Sequence, residues 1–345
     1  MTDLELHLLN DFQHDFPLAA TPFRKIAEAL GVDEAEVLAS LARLQKQGAV
    51  SRVGAVFRPH TIGASTLAAM AVPEGKLPAV AQQVSAHPEV NHNYEREHRY
   101  NLWFVAAAPD SERLNDVLRR IQQEAGYPML VLPMLEDFHI DLGFDLAHTP
   151  LGAVSGQPKR IRGGHKAGMS TEAAPTRYVP HPAEAELIAA IQGGIPLVPR
   201  PYAEIGARAG MSETEAIGCL AQLLEQGVIR RLGVVVRHHE LGYRANAMVV
   251  WDVPDTEVSS VGRCLGQFDC VTLCYRRPRR LPEWRYNLFS MIHGRDRDEV
   301  LGLIEQLRAA CQLTAISHEV LFSRKRFKQC GARYVEADLA QAVAA

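Results

Sequence analysis

The sequence predicts an α+β protein made by tandem duplication of one unit, in which a winged helix-turn-helix precedes a ferredoxin-like β-α-β-β-α-β domain. Two observations predict this architecture: several motifs recur at a fixed offset, and within each copy a helical period gives way to a strand period. We expect winged helix-turn-helix domains at 1–63 and 181–242, ferredoxin-like domains at 64–149 and 243–345, and a linker at 150–180. The linker should be flexible because Gly, Pro, Ser and Ala dominate it and leave little apolar surface to bury.

The repeat is visible when the motifs of the two halves are aligned. Phe23–Gly31 matches Tyr202–Gly210, and Gln47–Gly54 matches Gln226–Gly233. At the same offset, Arg58, His60 and Gly63 correspond to Arg237, His239 and Gly242. Since fused copies of a subunit usually keep their two-fold contact, we expect an intramolecular pseudo-dimer with the sheets at its interface.

Helical periodicity opens each copy. In the first copy the apolar stripes are Leu4, Leu8, Leu9 and Phe12, then Ile26, Ala29 and Leu30, then Val37, Leu38, Leu41 and Leu44. Gly31 and Gly48 are typical helix ends, and Asp33 and Ser212 are typical helix caps. The following segment, Ala49–Phe57, then predicts a β wing.

A strand pattern follows the helices in both copies. The first copy predicts strands at Thr66–Val72, Val90–Tyr94, Asn101–Ala107 and Met129–Ile140, and helices at Leu77–Ser85 and Glu112–Glu124. The second predicts strands at Ala245–Val253, Cys270–Tyr275, Tyr286–His293 and Leu313–Leu321, and helices at Ser259–Leu265 and Arg297–Cys311. Both have the order β-α-β-β-α-β of a ferredoxin-like domain.

Composition limits the function classes. The chain has 345 residues and a formal net charge of −3, so no overall basic field draws it to nucleic acid or membrane. Its six cysteines contain no Cys-x-x-Cys pair, and we expect Cys270 and Cys274 to be buried apolar side chains rather than metal ligands. The N-terminus has no basic region followed by an apolar run, and no apolar run approaches a membrane span, so we expect a cytoplasmic protein without a membrane segment.

A cationic, aromatic motif occupies the expected turn between the second and third strands of each ferredoxin-like domain. It covers Tyr94–Trp103 in the first copy and Tyr275–Phe289 in the second, and both versions end in Arg-Tyr-Asn-Leu and an aromatic residue. Turns usually carry Gly, Asn, Asp or Pro, whereas this motif carries groups suited to holding carboxylates or phosphates. A single copy could be a solvated charged hairpin, but the duplication favours a binding site.

The domain order resembles the Lrp/AsnC family of transcriptional regulators over nearly the whole of each copy. A closer similarity is to the fused two-subunit sirohaem (siroheme) decarboxylases of haem d1 and alternative haem biosynthesis, carried by Tyr94–Trp103 with Asp141–Leu146 and by Cys274–Phe289 with Arg326–Tyr334. This resemblance implies a non-oxidative carboxy-lyase that removes the C12 and C18 acetate carboxyls of sirohaem and gives 12,18-didecarboxysirohaem. It implies no cofactor beyond the substrate, which brings its own iron.

The alternative function is a DNA-binding regulator of the Lrp/AsnC type or a tetrapyrrole sensor. A recognition helix needs Arg, Lys, Asn or Gln on the face that enters the major groove. Here Asp33–Ser40 opens with acidic residues, and Ser212–Gln222 contains no basic residue. Because like charge repels the DNA phosphates, we expect no specific nucleic-acid partner.

The enzyme hypothesis requires several cations because the substrate is a polycarboxylate. Arginine suits this task better than lysine, since its paired N–H groups match both carboxylate oxygens. The substrate-binding candidates are Arg52, Arg58, Arg96, Tyr100, Arg231, Arg237, Tyr275, Arg276, Arg277, Arg285 and His318. The arginines that recur in both copies, Arg52 with Arg231 and Arg58 with Arg237, could equally form structural ion pairs.

Loss of CO₂ from a pyrrole-linked acetate leaves electron density on the methylene carbon, so a proton must be delivered. His98 is the first candidate for the donor because histidine titrates near neutral pH, and Arg99 and Tyr94 are its candidate catalytic partners. An exposed turn histidine is the alternative interpretation. His60, His238, His239 and His318 could also approach the substrate, although a structural role is the commoner one, and no spacing selects a ligand for the iron.

Overall fold

The computed structural model describes residues 1–58, 61–140, 178–237 and 245–335. The first copy comprises α1 (Asp3–Asn10), α2 (Pro22–Leu30), α3 (Glu34–Gln47), β1 (Val50–Phe57), β2 (Ala64–Met70), α4 (Leu77–Ala86), β3 (Val90–Arg96), β4 (Leu102–Ala108), α5 (Ser111–Ala125), β5 (Met129–Pro133) and β6 (Glu136–Ile140). The second comprises α6 (Pro182–Ile191), α7 (Pro201–Arg208), α8 (Glu213–Glu225), β7 (Ile229–Val236), β8 (Ala245–Trp251), α9 (Val258–Leu265), β9 (Val271–Arg276), β10 (Leu288–Gly294), α10 (Arg297–Ala310) and β11 (His318–Gln329). The α+β tandem duplication is confirmed.

Helix boundaries follow from capping chemistry. Pro22 lies in the first turn of α2, where its missing N–H has no intrahelical partner to lose. Gly31 ends α2 at φ 68° and Gly48 follows α3 at φ 84°, left-handed conformations that favour glycine. At the start of α8, Ser212 and Glu215 exchange side-chain to backbone hydrogen bonds.

The two predicted wing segments pair with each other. β1 and β7 form an antiparallel two-stranded sheet with Gly54 opposite Gly233. A Cβ atom on Gly233 would lie 2.0 Å from the carbonyl oxygen of Gln13, so the close approach of the N-terminal segment requires glycine. The helices α1–α3 and α6–α8 share one apolar core with this ladder, including Leu8, Phe23, Leu41, Ile188, Tyr202 and Leu220.

The remaining strands of both copies form one nine-stranded sheet in the order β5-β2-β4-β3-β11-β8-β10-β9-β6. The prediction of one strand over Met129–Ile140 was therefore wrong. β5 pairs with β2 of its own copy, and β6 pairs with β9 of the other copy. Pro133 ends the first ladder, and the N–H of Leu135 already donates to the Arg276 carbonyl of the second copy at 2.8 Å.

The last strand of the second copy makes the reciprocal exchange. The prediction of Leu313–Leu321 placed it too early, because β11 starts at His318 and extends to Gln329. Its first half pairs with β8, and its second half pairs with β3 of the first copy. β11 is longer than predicted because its second half pairs with a strand of the other copy. The local sequence does not reveal this pairing.

Helices cover the outer faces of the sheet. α4 and α5 pack around Phe104 and Val117 in the first copy, and α9 and α10 pack around Val249 and Leu303 in the second. The inner faces of both copies meet in a third core: Leu67, Ala69, Tyr100, Trp103, Leu130, Leu132, Met248, Val250, Trp284, Tyr286, Phe289, Met291 and Leu321. The copies thus pack through their sheets, as expected for a pseudo-dimer.

Four of the six cysteines lie in the apolar core or in a disulfide. Cys270 and Cys274 are buried in the apolar core of the second copy, as predicted. Cys264 on α9 and Cys311 at the end of α10 form a disulfide, which their sequence spacing did not indicate. Among the described residues, no helix combines the length and the apolar character needed to cross a bilayer.

Candidate active site

The cationic motif lies at the ends of β3 and β9, where the two copies meet. Strand register defines the equivalent positions, since Tyr94 lies opposite Trp103 just as Tyr275 lies opposite Phe289. The shared Arg-Tyr-Asn-Leu run before β4 and β10 fixes the rest. The equivalent pairs are Tyr94 and Tyr275, Arg96 and Arg277, His98 and Trp284, Arg99 and Arg285, and Tyr100 and Tyr286.

Arg96 and Arg277 are buried and connect the two copies. Arg96 Nη1 donates to the Leu321 carbonyl of the second copy at 3.1 Å, and Arg277 Nη1 donates to the Leu132 carbonyl of the first. Burial lowers the pKa of Arg96 to about 10 and also lowers the pKa of Arg277. Each Nε is buried without a hydrogen-bond partner among the described residues, so each guanidinium has at least one donor available, on Nε.

His98 has both ring nitrogens engaged. Nδ1 accepts the backbone N–H of Tyr100 at 2.9 Å, and Nε2 lies 2.7 Å from Oε2 of Glu319 in the second copy. A backbone N–H can only donate, so Nδ1 is the acceptor and a neutral ring carries its proton on Nε2, facing Glu319. The His98 side chain is 17% exposed and that of Glu319 is 44% exposed, so the pair lies at a solvent-accessible edge of the interface.

Aromatic rings from both copies contact this pair. The His98 ring centroid is 5.6 Å from that of Trp284 in an edge contact and 6.0 Å from that of Tyr100 in a stacked one. The hydroxyl of Tyr286 donates to Oε1 of Glu319 at 2.7 Å. Burial and this hydrogen bond raise the pKa of Tyr286. Glu319 is therefore fixed between a tyrosine of the second copy and a histidine of the first.

A second group of candidates lies around Tyr94, nearer the helix-turn-helix domains. Tyr94 pairs in register with Arg326 of β11. Burial raises the pKa of the Tyr94 phenol, while the positive charges of Arg96, Arg326 and Arg237 oppose that rise. The hydroxyl is therefore protonated at neutral pH and has three guanidinium groups around it.

His92 extends this group along β3. Its ring stacks on that of Tyr94 at a centroid distance of 6.3 Å. Burial, reinforced by the charge of Arg52 on β1, lowers the pKa of His92 to about 4. Burial also lowers the pKa of Arg52, whose Nη2 donates to the Ala55 carbonyl at 3.1 Å. We call this set the β3 cluster: Arg52, His92, Tyr94, Arg96, Arg237 and Arg326.

Three arginines of the second motif, Arg276, Arg279 and Arg285, are paired with carboxylates. Arg285 Nη2 lies 2.5 Å from Asp252 Oδ2, and Arg276 Nη2 lies 3.7 Å from Asp255 Oδ1. Arg99, the equivalent of Arg285, is instead exposed and stacks over the ring of the next residue at 5.4 Å. Among the described residues, Arg99 has no carboxylate contact as close as the one between Arg285 and Asp252, and it faces solvent.

The other predicted residues are distributed outside these two groups. Tyr275 lies under the guanidinium of Arg277, 4.6 Å from ring centre to Cζ. Arg231 Nη1 donates to the Gln13 carbonyl. His318 stacks on Trp251 at 5.0 Å, on the side of the sheet that α10 covers, and burial lowers its pKa. His318 is thus separate from the His98 pair.

Arg58 after β1 and Arg237 after β7 form equivalent backbone hydrogen bonds to the other copy. Arg58 N–H donates to the Val228 carbonyl and Arg237 N–H donates to the Ala49 carbonyl. Of these two, Arg237 belongs to the β3 cluster. His60, His238, His239 and Asp141–Leu146 lie outside the described residues.

Sequence reasoning missed four residues of these groups. Arg326 reaches the first copy's motif because the second half of β11 pairs with β3, and Glu319, in the half that pairs with β8, contacts His98 across the interface. No local pattern marks either contact. His92 and Trp284 carried a weak signal, since both lie within or beside the motif. Among the described residues, no three His, Cys, Asp or Glu side chains are grouped to hold a metal ion.

Comparisons with protein families agree with this arrangement. The AsnC-like ligand binding domain matches residues 62–139 and 240–328, and the siroheme decarboxylase NirDL-like HTH domain matches residues 5–50 and 184–230. The siroheme decarboxylase NirDL subunit of Paracoccus pantotrophus is 43% identical over 338 residues, which cover 97% of this chain and 98% of the relative.

A solved structure and a separate subunit extend the comparison. The crystal structure of the siroheme decarboxylase NirDL in co-complex with an iron-uroporphyrin III analogue has a TM-score of 0.67 and 31% identity, covering 99% of this chain and 97% of that one. The siroheme decarboxylase NirD subunit of Stutzerimonas stutzeri is 52% identical over 143 residues, which cover 41% of this chain and 94% of the subunit. The chain therefore belongs to the siroheme decarboxylase NirDL family.

Proposed function

We propose that this chain decarboxylates sirohaem, converting its C12 and C18 acetate side chains to methyl groups and giving 12,18-didecarboxysirohaem. In each event the bond between the methylene carbon and the carboxylate breaks, CO₂ leaves, and the carbon takes up one proton. The electron pair stays with the carbon and is delocalised into the macrocycle, so no oxidant or reductant takes part. The iron belongs to the substrate.

The β3 cluster is the observation that carries this proposal. Four of its six members are arginines, and they come from both copies and from both kinds of domain. Arg96 and Arg237 each have an Nε buried without a hydrogen-bond partner among the described residues. Hydrogen bonds between charged partners contribute about 1.5–3 kcal/mol each, so this cluster favours a polycarboxylate over a neutral ligand.

Protonation states divide the roles among the histidines. His92, with a pKa of about 4, is neutral at pH 7 and can accept a hydrogen bond but is a poor proton donor. His98 lies at the solvent-accessible edge and carries its proton on Nε2 beside Glu319. We therefore assign proton delivery to His98 in its imidazolium form, in which a proton on Nδ1 replaces the contact with the Tyr100 N–H. Donation of one proton to the carbon leaves the neutral ring, and solvent restores the proton through the neighbouring carboxylate of Glu319.

Tyr94 and Arg99 act on the substrate's negative charge. Burial keeps the Tyr94 phenol protonated, so its hydroxyl donates a hydrogen bond to an anionic oxygen. Arg99 is exposed beside His98 and attracts a substrate carboxylate toward the proton donor. Neither residue changes its protonation state in this scheme.

Product analysis tests the proposed function. The purified chain is incubated with sirohaem in the absence of any redox partner, and the extracted tetrapyrrole is analysed by mass spectrometry. We expect the masses of the singly and then the doubly decarboxylated products. Bound but chemically unchanged sirohaem after many hours would show a sensor or carrier instead of an enzyme.

A further inference from the structure

We propose that each chain has one tetrapyrrole site, at the β3 cluster, and that both acetates are decarboxylated there in turn. The chemistry of this inference rests on the proposed function, whereas the number of sites does not. Duplication provides two equivalent locations, at the ends of β3 and β9. Their side chains differ at the positions that matter for an anionic substrate and for proton delivery.

The proton donor exists at one location. His98 corresponds to Trp284, which is buried in the inner core. Its partner Glu319 lies opposite Val250, and the equivalent strand position in the first copy, opposite Ala69, is the buried Leu130. At the second location, Trp284 thus occupies the position of His98, and Leu130 occupies the position of Glu319.

The charge also differs between the two locations. Arg326 pairs with Tyr94 in the β3 cluster, whereas Asp137 of β6 pairs with Tyr275 at the end of β9. A carboxylate therefore stands where the cluster has a guanidinium. An anionic macrocycle gains attraction at the first location and meets repulsion at the second.

The histidine of the β3 cluster, His92, has no counterpart at the second location either. His92 lies opposite Val105 on β4, and the equivalent position on β9 is Leu273, opposite Met291 on β10. The nearby Arg276 and Arg285 are held by Asp255 and Asp252. The second location therefore does not bind substrate. The second copy contributes to the first location by packing against it and by pairing β11 with β3.

One site has a consequence for the order of events. The C12 and C18 acetates belong to different pyrrole rings, so one bound orientation presents only one of them to His98. After the first CO₂ is lost, the macrocycle must turn within the site or leave and rebind. A singly decarboxylated tetrapyrrole is therefore an obligatory intermediate.

The number of sites is measured by titration with iron-uroporphyrin III, followed through its absorption spectrum. We expect saturation at one equivalent per chain. Saturation at two equivalents of comparable affinity would overturn the inference. This readout requires no turnover, so it stays informative even if the decarboxylase proposal fails.

A matched pair of variants identifies the location. Arg326→Gln should weaken binding roughly tenfold, because a charged hydrogen-bonding partner is lost. Asp137→Asn changes the equivalent position on the other side and should leave affinity unchanged. Tighter binding by Asp137→Asn, which removes a repelling carboxylate, together with unchanged binding by Arg326→Gln, would place binding at the second location and overturn the inference. Unchanged melting temperatures of both variants confirm that folding is intact, since Arg326 is exposed.

Turnover gives a separate check. With one site, Arg326→Gln should slow the loss of the first and the second CO₂ together. A variant that removes one carboxyl at the normal rate and then stops would show two committed sites. If binding saturates at one equivalent and no CO₂ is lost, the proposed function fails while the single site stands.

Discussion

At the residue scale, His98 depends on groups that the two copies supply jointly. Its Nδ1 is fixed by the backbone of Tyr100, and its Nε2 faces Glu319, which Tyr286 also binds. These contacts hold the imidazole in one tautomer with its proton directed to a carboxylate. We propose that this ring transfers a proton and contributes little to holding the substrate.

We predict that His98→Ala reduces turnover on the order of 10²–10⁴-fold while changing substrate affinity little, because a positioned acid acts mainly in the transition state. Turnover is followed by product formation and affinity by spectral titration. The control is His7→Ala, which removes an exposed histidine of α1 that contacts Asp11. Full turnover by His98→Ala would transfer the assignment to other histidines, beginning with His60 and His239.

Substitutions of Arg96 and Arg99 in the first motif should have different effects on stability, although both should weaken substrate binding. Arg96→Ala leaves the Leu321 carbonyl without its donor and should lower the free energy of unfolding by about 1–3 kcal/mol, in addition to weakening substrate binding. Arg99→Ala removes an exposed side chain and should weaken binding without a change in melting temperature. Thermal denaturation and titration of both variants check this, and equal melting temperatures would refute the structural role of Arg96.

At the element scale, the inner face of the sheet carries two histidines beside arginines, the buried His293 and the partly buried His92. His92 lies near Arg52 and His293 lies near Arg96, and burial with these charges lowers the pKa of each histidine to about 4. Both are therefore neutral in the folded protein over the range in which an unfolded histidine, with a pKa of about 6.5, takes up a proton. Folding then opposes protonation.

The sign of the pH dependence follows from that difference. Below pH 6.5 the unfolded chain binds more protons than the folded chain, so stability should fall as the pH drops from about 6.5 to about 4, by up to ~3 kcal/mol per histidine. Urea unfolding of the wild type and of His293→Asn across this range measures the effect. The wild type should lose more stability than the variant, and parallel curves would contradict the assignment.

Acidic residues on the helix-turn-helix domains lead us to expect only weak interaction with DNA. The first turns of α3 and α8 carry glutamates, of which Glu34 lies 3.7 Å from Arg24 and Glu213 contacts Arg200. The wing strands β1 and β7 pair with each other. We expect no sequence-dependent retention of DNA fragments at physiological salt in a mobility-shift experiment; nanomolar, sequence-dependent binding would overturn the enzymatic assignment.

The sequence predicted the elements that local patterns determine. Apolar stripes with Gly31 and Gly48 located α2 and α3, and alternation located β3 and β4. The exchanged strands β6 and β11 were mispredicted because their lengths depend on a partner in the other copy. Arg326 was missed for the same reason, and Glu319 was missed because no local pattern marks its contact with His98 of the other copy. The motif containing His98 was found from its unusual composition.

At the scale of the whole molecule, the single site that we propose has its proton donor in the first half and draws its arginines from both halves. Relatives with separate subunits, such as NirD of Stutzerimonas stutzeri, match a single half of this chain. Each half here lends a strand to the sheet of the other, and Arg96 and Arg277 connect them by hydrogen bonds. The two halves therefore build the β3 cluster together.

The most direct test of the proposed reaction is the amount of CO₂ released per sirohaem consumed, with no electron donor or acceptor present. The scheme predicts two molecules of CO₂ for each tetrapyrrole, with the singly decarboxylated product rising and then falling. Release that depends on an added oxidant or reductant, or tetrapyrrole that is bound without any CO₂ release, would contradict it.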